Sequence, residues 1–206
     1  MGDHRFQPGE LILDRYRVHG VLGAGGVGVV YDTVDDRIGR RAAVKVLRRS
    51  AQDHRTAAKR TIREARTLAS LSHPHLVTLW DFEYLDDGCP VLVMERVDGE
   101  SAAALLQREG CLSVAAVVDI LRQSLAALSE LHAAGIIHRD LKPGNILIQQ
   151  PEPGRYSVKL IDFGIVQLVA DDGATALTLS GEVFGSPRYM SPEQWTQKPV
   201  DPRTDL

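Results

Sequence analysis

The spacing of apolar and polar positions divides the chain into two textures. Up to about residue 97, short runs alternate. "YRVHGVL" (16–22), "VGVVYDTV" (27–34) and "RRAAVKVL" (40–47) have the two-residue period and β-branched content of strands. "TAAKRTIREARTLASL" (56–71) instead places Ile62, Ala65, Leu68 and Ala69 on one face of a helix. "HLVTLWDFEYL" and "CPVLVMERV" read as two further strands joined by the turn signal "DDG". After "DGE" the texture changes. Residues 101–134 are rich in Ala and Leu, with Gly110 separating a short helix from a long one. Short strands "ILI" and "SVKLIDFG" follow, then an irregular polar run from 165 to 193. The pattern predicts an α+β protein of two lobes. A five-stranded antiparallel N-terminal lobe with one main helix is followed by a mainly α C-terminal lobe. The connection lies near residues 95–100.

Composition narrows the class. The 206 residues, 44% hydrophobic and 25% charged, are those of an ordinary globular chain, enough for one large domain or two small lobes. The net charge of −3 points away from a nucleic-acid or anionic-membrane partner. Cys89 and Cys111 have no metal-ligand spacing, so two unpaired thiols in a reducing compartment are expected. The N-terminus lacks the apolar core of a signal peptide. The most apolar stretch, "SVAAVVDILRQSLAALSELHAAG" (113–135), is interrupted by Asp119, Arg122 and Glu130. It reads as a buried amphipathic helix, not a membrane segment. A cytoplasmic protein is the expectation.

Three local patterns carry chemistry. In "GAGGVGVV", Gly23, Gly25 and Gly28 have G-x-G-x-x-G spacing. A dinucleotide-binding turn would continue into a helix, but Val29, Val30 and Tyr31 continue as a strand. The pattern therefore favours a hairpin whose backbone N–H groups cover phosphates, with a plain ligand-free hairpin as the alternative. Lys45 in "AAVKV" shares a strand face with Ala43, a small side chain beside a cation, which leaves room for a flat ring. Glu64, within the predicted helix, is its expected partner. The stretch "IIHRDLKPGNILI" (136–148) packs charge between two apolar strips. Asp140 can orient a hydroxyl and accept its proton. Lys142 can neutralise a transferring phosphoryl group. Asn145 and, further on, Asp162 offer oxygens to Mg²⁺.

The ordered set Gly23-x-Gly25-x-x-Gly28-x-Val30, Ala43-Val44-Lys45, Glu64, His138-Arg139-Asp140-Leu141-Lys142-x-x-Asn145, Asp162-Phe163-Gly164 and Ser191-Pro192-Glu193 resembles the protein kinases. "LGAGGVGVVY", "HRDLKPGNIL" and "MSPEQW" look most like the bacterial eukaryotic-type serine/threonine protein kinases. The resemblance covers about residues 10–206. It implies a bilobal protein-kinase-like fold. Residues 1–9 would be an N-terminal tail, 10–97 the N-lobe, and 98–206 a partial C-lobe ending at the start of its central helix.

The family pattern implies roles residue by residue. The hairpin of Leu22, Gly23, Ala24, Gly25, Gly26, Val27 and Gly28 would cover ATP. Lys45 would contact its α- and β-phosphates and pair with Glu64. Val30, Ala43 and Leu147 would sandwich adenine. Met94 looks like the gatekeeper, with Glu95 to Val97 as the hinge. Asp140 and Lys142 would serve the substrate hydroxyl and the γ-phosphate, and Asn145 and Asp162 would bind Mg²⁺, with Mn²⁺ as a substitute. Leu68, Leu79, His138 and Phe163 match the family's apolar column.

Residues 165–190 look like the activation loop. Counting back from Ser186 places autophosphorylation candidates at Thr178 and Ser180, with Thr175 a further one. Arg139 beside Asp140 implies that a loop phosphate pairs with its guanidinium. The resemblance further implies protein substrates bearing Ser or Thr, no nucleic-acid partner, and homodimerisation through the N-lobe as an assembly seen among relatives. Asp205 would hydrogen-bond the catalytic loop. The Arg that pairs with Glu193 in the family would lie beyond Leu206, as would a membrane anchor. The long helix would then leave an apolar face exposed. A non-specific serine/threonine kinase is the principal reading. A catalytically weak or inactive ATP-binding or regulatory module is the alternative. A small-molecule phosphotransferase of kinase-like fold fits less well, because it would lack "HRDLKPGN" and a "DFG…SPE" segment.

Overall fold

The structure is a computed structural model that describes residues 5–26, 28–47, 69–152, 154–163, 187–196 and 198–206. The described parts of Met1–Asp53 and Thr78–Arg96 form one compact unit. Those of His54–Val77 and Val97–Leu206 form a second.

The first unit is an antiparallel sheet. Its strands are β1 (Leu11–Ile12), β2 (Tyr16–Ala24), β3 (Gly28–Asp35), β4 (Arg40–Leu47), β5 (Leu79–Tyr84) and β6 (Pro90–Glu95). Their spatial order is β1-β2-β3-β4-β6-β5. Five strands were expected, and six stand among the described residues. The added β1 is two residues long, below what an alternation pattern can reveal. It folds onto β2 because Leu13 and Asp14 take φ of 56° and 51°, and the Arg15 N–H donates to the Ile12 carbonyl at 3.2 Å.

Register decides which side chains share a face. Tyr31 pairs with Val44, and Val44 with Val93. These side chains join Ile12, Tyr16, Val18, Val46 and Val91 in one buried cluster. Each such aliphatic side chain taken from water contributes about 2 kcal/mol. The pleat sends the intervening residues to the opposite face, where Val30, Lys45 and Leu92 form one cross-strand row and Asp32, Ala43 and Met94 the next.

The second unit combines helices with a small antiparallel sheet of β7 (Glu100–Ser101), β8 (Ile146–Glu152) and β9 (Arg155–Leu160). Helix α1 spans Ala102–Glu109 and α2 spans Val114–Ala133. Both begin where a serine hydroxyl accepts an otherwise unpaired backbone N–H. Ser101 accepts from Ala104 at 3.1 Å, and Ser113 from Ala116 at 3.2 Å. Gly110, at φ 75°, ends α1. Helix α2 buries Ala116, Ile120, Gln123, Ser124, Ala127, Leu128 and Leu131, a stripe at helical spacing. A second stripe, Val118, Leu121 and Leu125, is at least half exposed. Gln123 is buried and satisfied. It donates to the Tyr156 carbonyl at 3.0 Å and accepts from the Val158 N–H at 3.0 Å, which clamps α2 to β9. A short helix α3 spans Pro192–Trp195.

The strand read as "SVKLIDFG" stops at Leu160, because Asp162 takes φ of 61° and leaves the pleat. Of the predicted 56–71 helix only residues 69–71 are described, and 69 and 70 are helical. No helix among the described residues is long and apolar enough to cross a membrane. Both cysteines are free, Cys89 buried and Cys111 exposed.

Candidate active site

The first unit carries a Gly-rich hairpin. Its turn is closed by the Gly25 N–H donating to the Gly28 carbonyl at 3.0 Å. The glycines answer to different constraints. A Cβ on Gly28 would lie 2.3 Å from the Val46 carbonyl oxygen, so the close approach of β3 to β4 demands glycine there. Among the described residues no atom comes within 4 Å of a Cβ built on Gly23, Gly25 or Gly26. Packing within the described chain therefore does not explain those three, and bare backbone N–H groups there suit the close approach of a phosphate.

Below the hairpin, register places Val30 beside Lys45 and Ala43 beside Met94 on one face. Ala43, Lys45 and Met94 are buried, and Lys45 is only 5% exposed. An ammonium this deep requires compensating polar contacts. Arg96, adjoining Glu95, bonds Asp32 of β3 at 3.2 Å, which ties that strand to the segment expected as the hinge. Glu95 accepts the Thr78 N–H at 3.2 Å. Leu22, Gly23 and Ala24 are exposed at the end of β2.

The second unit carries the polar loop. The Asp140 carboxylate accepts the Lys142 ammonium at 2.7 and 3.0 Å, and the Asn145 amide at 3.0 Å. Asn145 also donates to the Asp140 carbonyl at 2.8 Å. These contacts fix both the loop backbone and the carboxylate. Asp140 and Lys142 are each 23% exposed at the side chain, partly buried yet reachable. The loop is pinned from below by Asp205. Its carboxylate accepts the His138 N–H at 2.8 Å, the Arg139 N–H at 2.8 Å and contacts His132 Nε2 at 2.7 Å. Asp205, His138 and Asn145 are buried. Burial pushes the His138 imidazole below its ordinary pKa.

The hairpin of β8 and β9 brings the two candidate metal ligands together. Ile146 pairs with Leu160, and the Ile161 N–H donates to the Asn145 carbonyl at 3.0 Å. Asn145 and Asp162 therefore flank the open end of one hairpin. The Asn145 amide nitrogen is used on Asp140, and its oxygen is the atom suited to a cation. Among the described residues no group of three His, Cys, Asp or Glu could hold a metal unaided. Two protein oxygens completed by phosphate oxygens is the arrangement Mg²⁺ favours, so these residues fit that ion. Leu147, in β8, is half-buried. Val97 is buried. His138 and Phe163, both buried, meet edge to face with ring centroids 6.4 Å apart.

Several expected residues lie outside the described ones: Val27, Glu64, Leu68, Gly164, Thr175, Thr178, Ser180 and Ser186. Other contacts were missed by sequence reasoning. Glu193 accepts from the Thr204 hydroxyl at 2.7 Å. Gln194 donates to the Arg139 carbonyl at 2.7 Å. Ser191-Pro192-Glu193-Gln194 spells a capping box, a signal for the local Ser191–Gln194 bonds but not for the reach to Arg139.

A Gly-rich strand–turn–strand with a buried strand Lys in one unit, and an Asp-x-Lys-x-x-Asn loop beside an Asp-Phe turn in the other, define the protein kinase class. The chain belongs to the protein kinase family, since the protein kinase domain model matches residues 16–206. It is 41% identical over 201 residues to the serine/threonine-protein kinase Pkn3 of Myxococcus xanthus, covering 96% of this chain and 36% of that protein. It is 39% identical over 202 residues to the serine/threonine-protein kinase PknA of Mycobacterium tuberculosis, covering 96% of this chain and 45% of that one. The chain thus spans less than half the length of these curated relatives. Among solved structures, the Mycobacterium tuberculosis PknI kinase domain superposes with a TM-score of 0.72 at 26% identity, covering 97% of this chain and 72% of that one.

Proposed function

We propose that the chain acts as a non-specific serine/threonine protein kinase, transferring the γ-phosphoryl group of ATP to protein Ser and Thr hydroxyls. The observation that carries this reading is the Asp140 carboxylate, held by Lys142 at 2.7 Å and Asn145 at 3.0 Å on a loop pinned by Asp205. A carboxylate so placed can align a hydroxyl and take its proton, and the adjacent ammonium offsets charge on the phosphoryl oxygens. Residues 10–97 hold the nucleotide. The hairpin of residues 22–28 offers N–H groups to phosphates, Lys45 neutralises them, and Val30, Ala43, Met94 and Glu95 are the first unit's residues for adenine. Residues 98–206 carry the transfer loop. Asn145 and Asp162 would hold Mg²⁺, which supplies charge neutralisation across the phosphates when bound. Thr175, Thr178 and Ser180 are the proposed autophosphorylation sites. The free thiols Cys89 and Cys111 support a cytoplasmic setting.

The test is transfer of labelled γ-phosphate from Mg-ATP by the 206-residue chain, with Asp140→Asn and Lys45→Met alongside. Label is expected on the wild-type chain or on a generic Ser/Thr substrate, and on neither control. A wild-type chain that binds Mg-ATP but transfers nothing would overturn the reading in favour of a binding module.

A further inference from the structure

Arg139, immediately before the proposed proton acceptor, takes φ of 65°. A residue with a Cβ is disfavoured in that left-handed region, so surrounding contacts must hold it there. On one side its N–H donates to Asp205 Oδ1 at 2.8 Å. On the other its carbonyl accepts the Gln194 side-chain amide at 2.7 Å. That carbonyl belongs to the peptide plane shared with Asp140, whose own N–H donates to His138 Nδ1 at 3.4 Å. Rotating the plane would rotate the Cα from which the Asp140 carboxylate projects. Gln194 is itself held at both ends. Its Oε1 accepts the Ser191 N–H at 3.0 Å, and its backbone N–H donates to the Ser191 hydroxyl at 3.4 Å.

We propose that Gln194 is a positioning residue for phosphoryl transfer: its amide couples the capping box of α3 to the left-handed Arg139 peptide and thereby sets the direction of Asp140. The inference rests on the kinase reading for its effect on turnover, but not for the contact itself. One side chain performs two separable tasks. Oε1 caps α3, and Nε2 orients the loop. Glutamate in its place keeps the acceptor and suits a capping box, but has no donor for the Arg139 carbonyl.

The experiment compares wild type, Gln194→Glu and Gln194→Ala by thermal unfolding, by amide hydrogen exchange resolved at Asp140, and by kcat and KM for ATP. Gln194→Glu keeps the cap but turns an acceptor toward the Arg139 carbonyl, so it should lose less Tm than Gln194→Ala. Its Asp140 amide should exchange about fivefold faster or more, the loss of roughly one hydrogen bond. Its kcat should fall about tenfold with KM for ATP unchanged, since misorientation affects the reacting groups and not nucleotide binding. Wild-type exchange at Asp140 in Gln194→Glu would overturn the proposal. So would faster exchange with unaltered kcat in a chain shown to transfer phosphate. Absence of transfer by the wild type would defeat the kinase reading instead, and amide exchange would then decide the Gln194 contact by itself.

Discussion

At the scale of single residues, Gly28 and Gly25 separate two reasons for a glycine. The β3–β4 approach leaves 2.3 Å for a Cβ at Gly28, so Gly28→Ala must displace backbone. It is expected to cost roughly 1–3 kcal/mol, read from urea unfolding. Gly25→Ala meets no described atom within 4 Å. It should leave stability within about 0.5 kcal/mol while raising KM for ATP. His138 makes a pH prediction. Burial depresses its pKa below the ordinary 6.5, so the unfolded chain binds the proton more readily. Its contribution to stability is present in full above that ordinary value and is lost as pH falls from there to the lower folded-state pKa. The unfolding midpoint should therefore drop more steeply below pH 6.5 in wild type than in His138→Phe. The glycine spacing was legible in the sequence. That Gly28 serves packing while its neighbours do not was invisible there, because it depends on the distance to a strand whose partner residue is Leu47, 19 positions on.

At the scale of elements, alternation and capping signals decided most boundaries. Arg40–Leu47 forms the strand that its period predicts, and Gly110 separates two helices as expected, with Ser101 and Ser113 capping their starts. The exceptions have local causes. The two-residue β1 is too short to show a period, and Asp162 leaves the strand because its φ is positive. How α2 meets β9 depends on Gln123, a polar residue inside an apolar stripe. Gln123→Ala would strand the buried Val158 N–H and the Tyr156 carbonyl. A loss of about 2 kcal/mol is expected from the unpaired groups, measured by denaturant unfolding. Gln123→Glu keeps the acceptor for Val158 but sets a buried carboxylate against the Tyr156 carbonyl and the Asp119 carboxylate, so it should lose at least as much.

At the scale of the whole molecule, Asp205 joins residues 66 to 73 positions away, receiving Arg139, His138 and His132 on one carboxylate. Asp205→Ala removes all three contacts and leaves His132 and two backbone donors unpaired. It should cost roughly 3 kcal/mol and lower kcat together with stability. Asp205→Asn retains an acceptor oxygen and should recover part of both. This joint response contrasts with Gln194→Glu, for which turnover is expected to fall further than stability.

What the sequence by itself determined was local: which stretches are strands or helices, where turns and caps fall, and which short loop collects Asp140, Lys142 and Asn145 within six positions. Those features follow from side-chain period, turn chemistry and charge, all readable over a few residues. Only the tertiary structure decided that Val30 and Met94 join Ala43 and Lys45 on one sheet face, that the β8–β9 hairpin brings Asn145 to Asp162, and that Gln194 holds the Arg139 carbonyl opposite the N–H that Asp205 accepts. These are hydrogen-bond and register choices between distant segments. Many partners are chemically equivalent in sequence, and only the folded path of the chain selects among them.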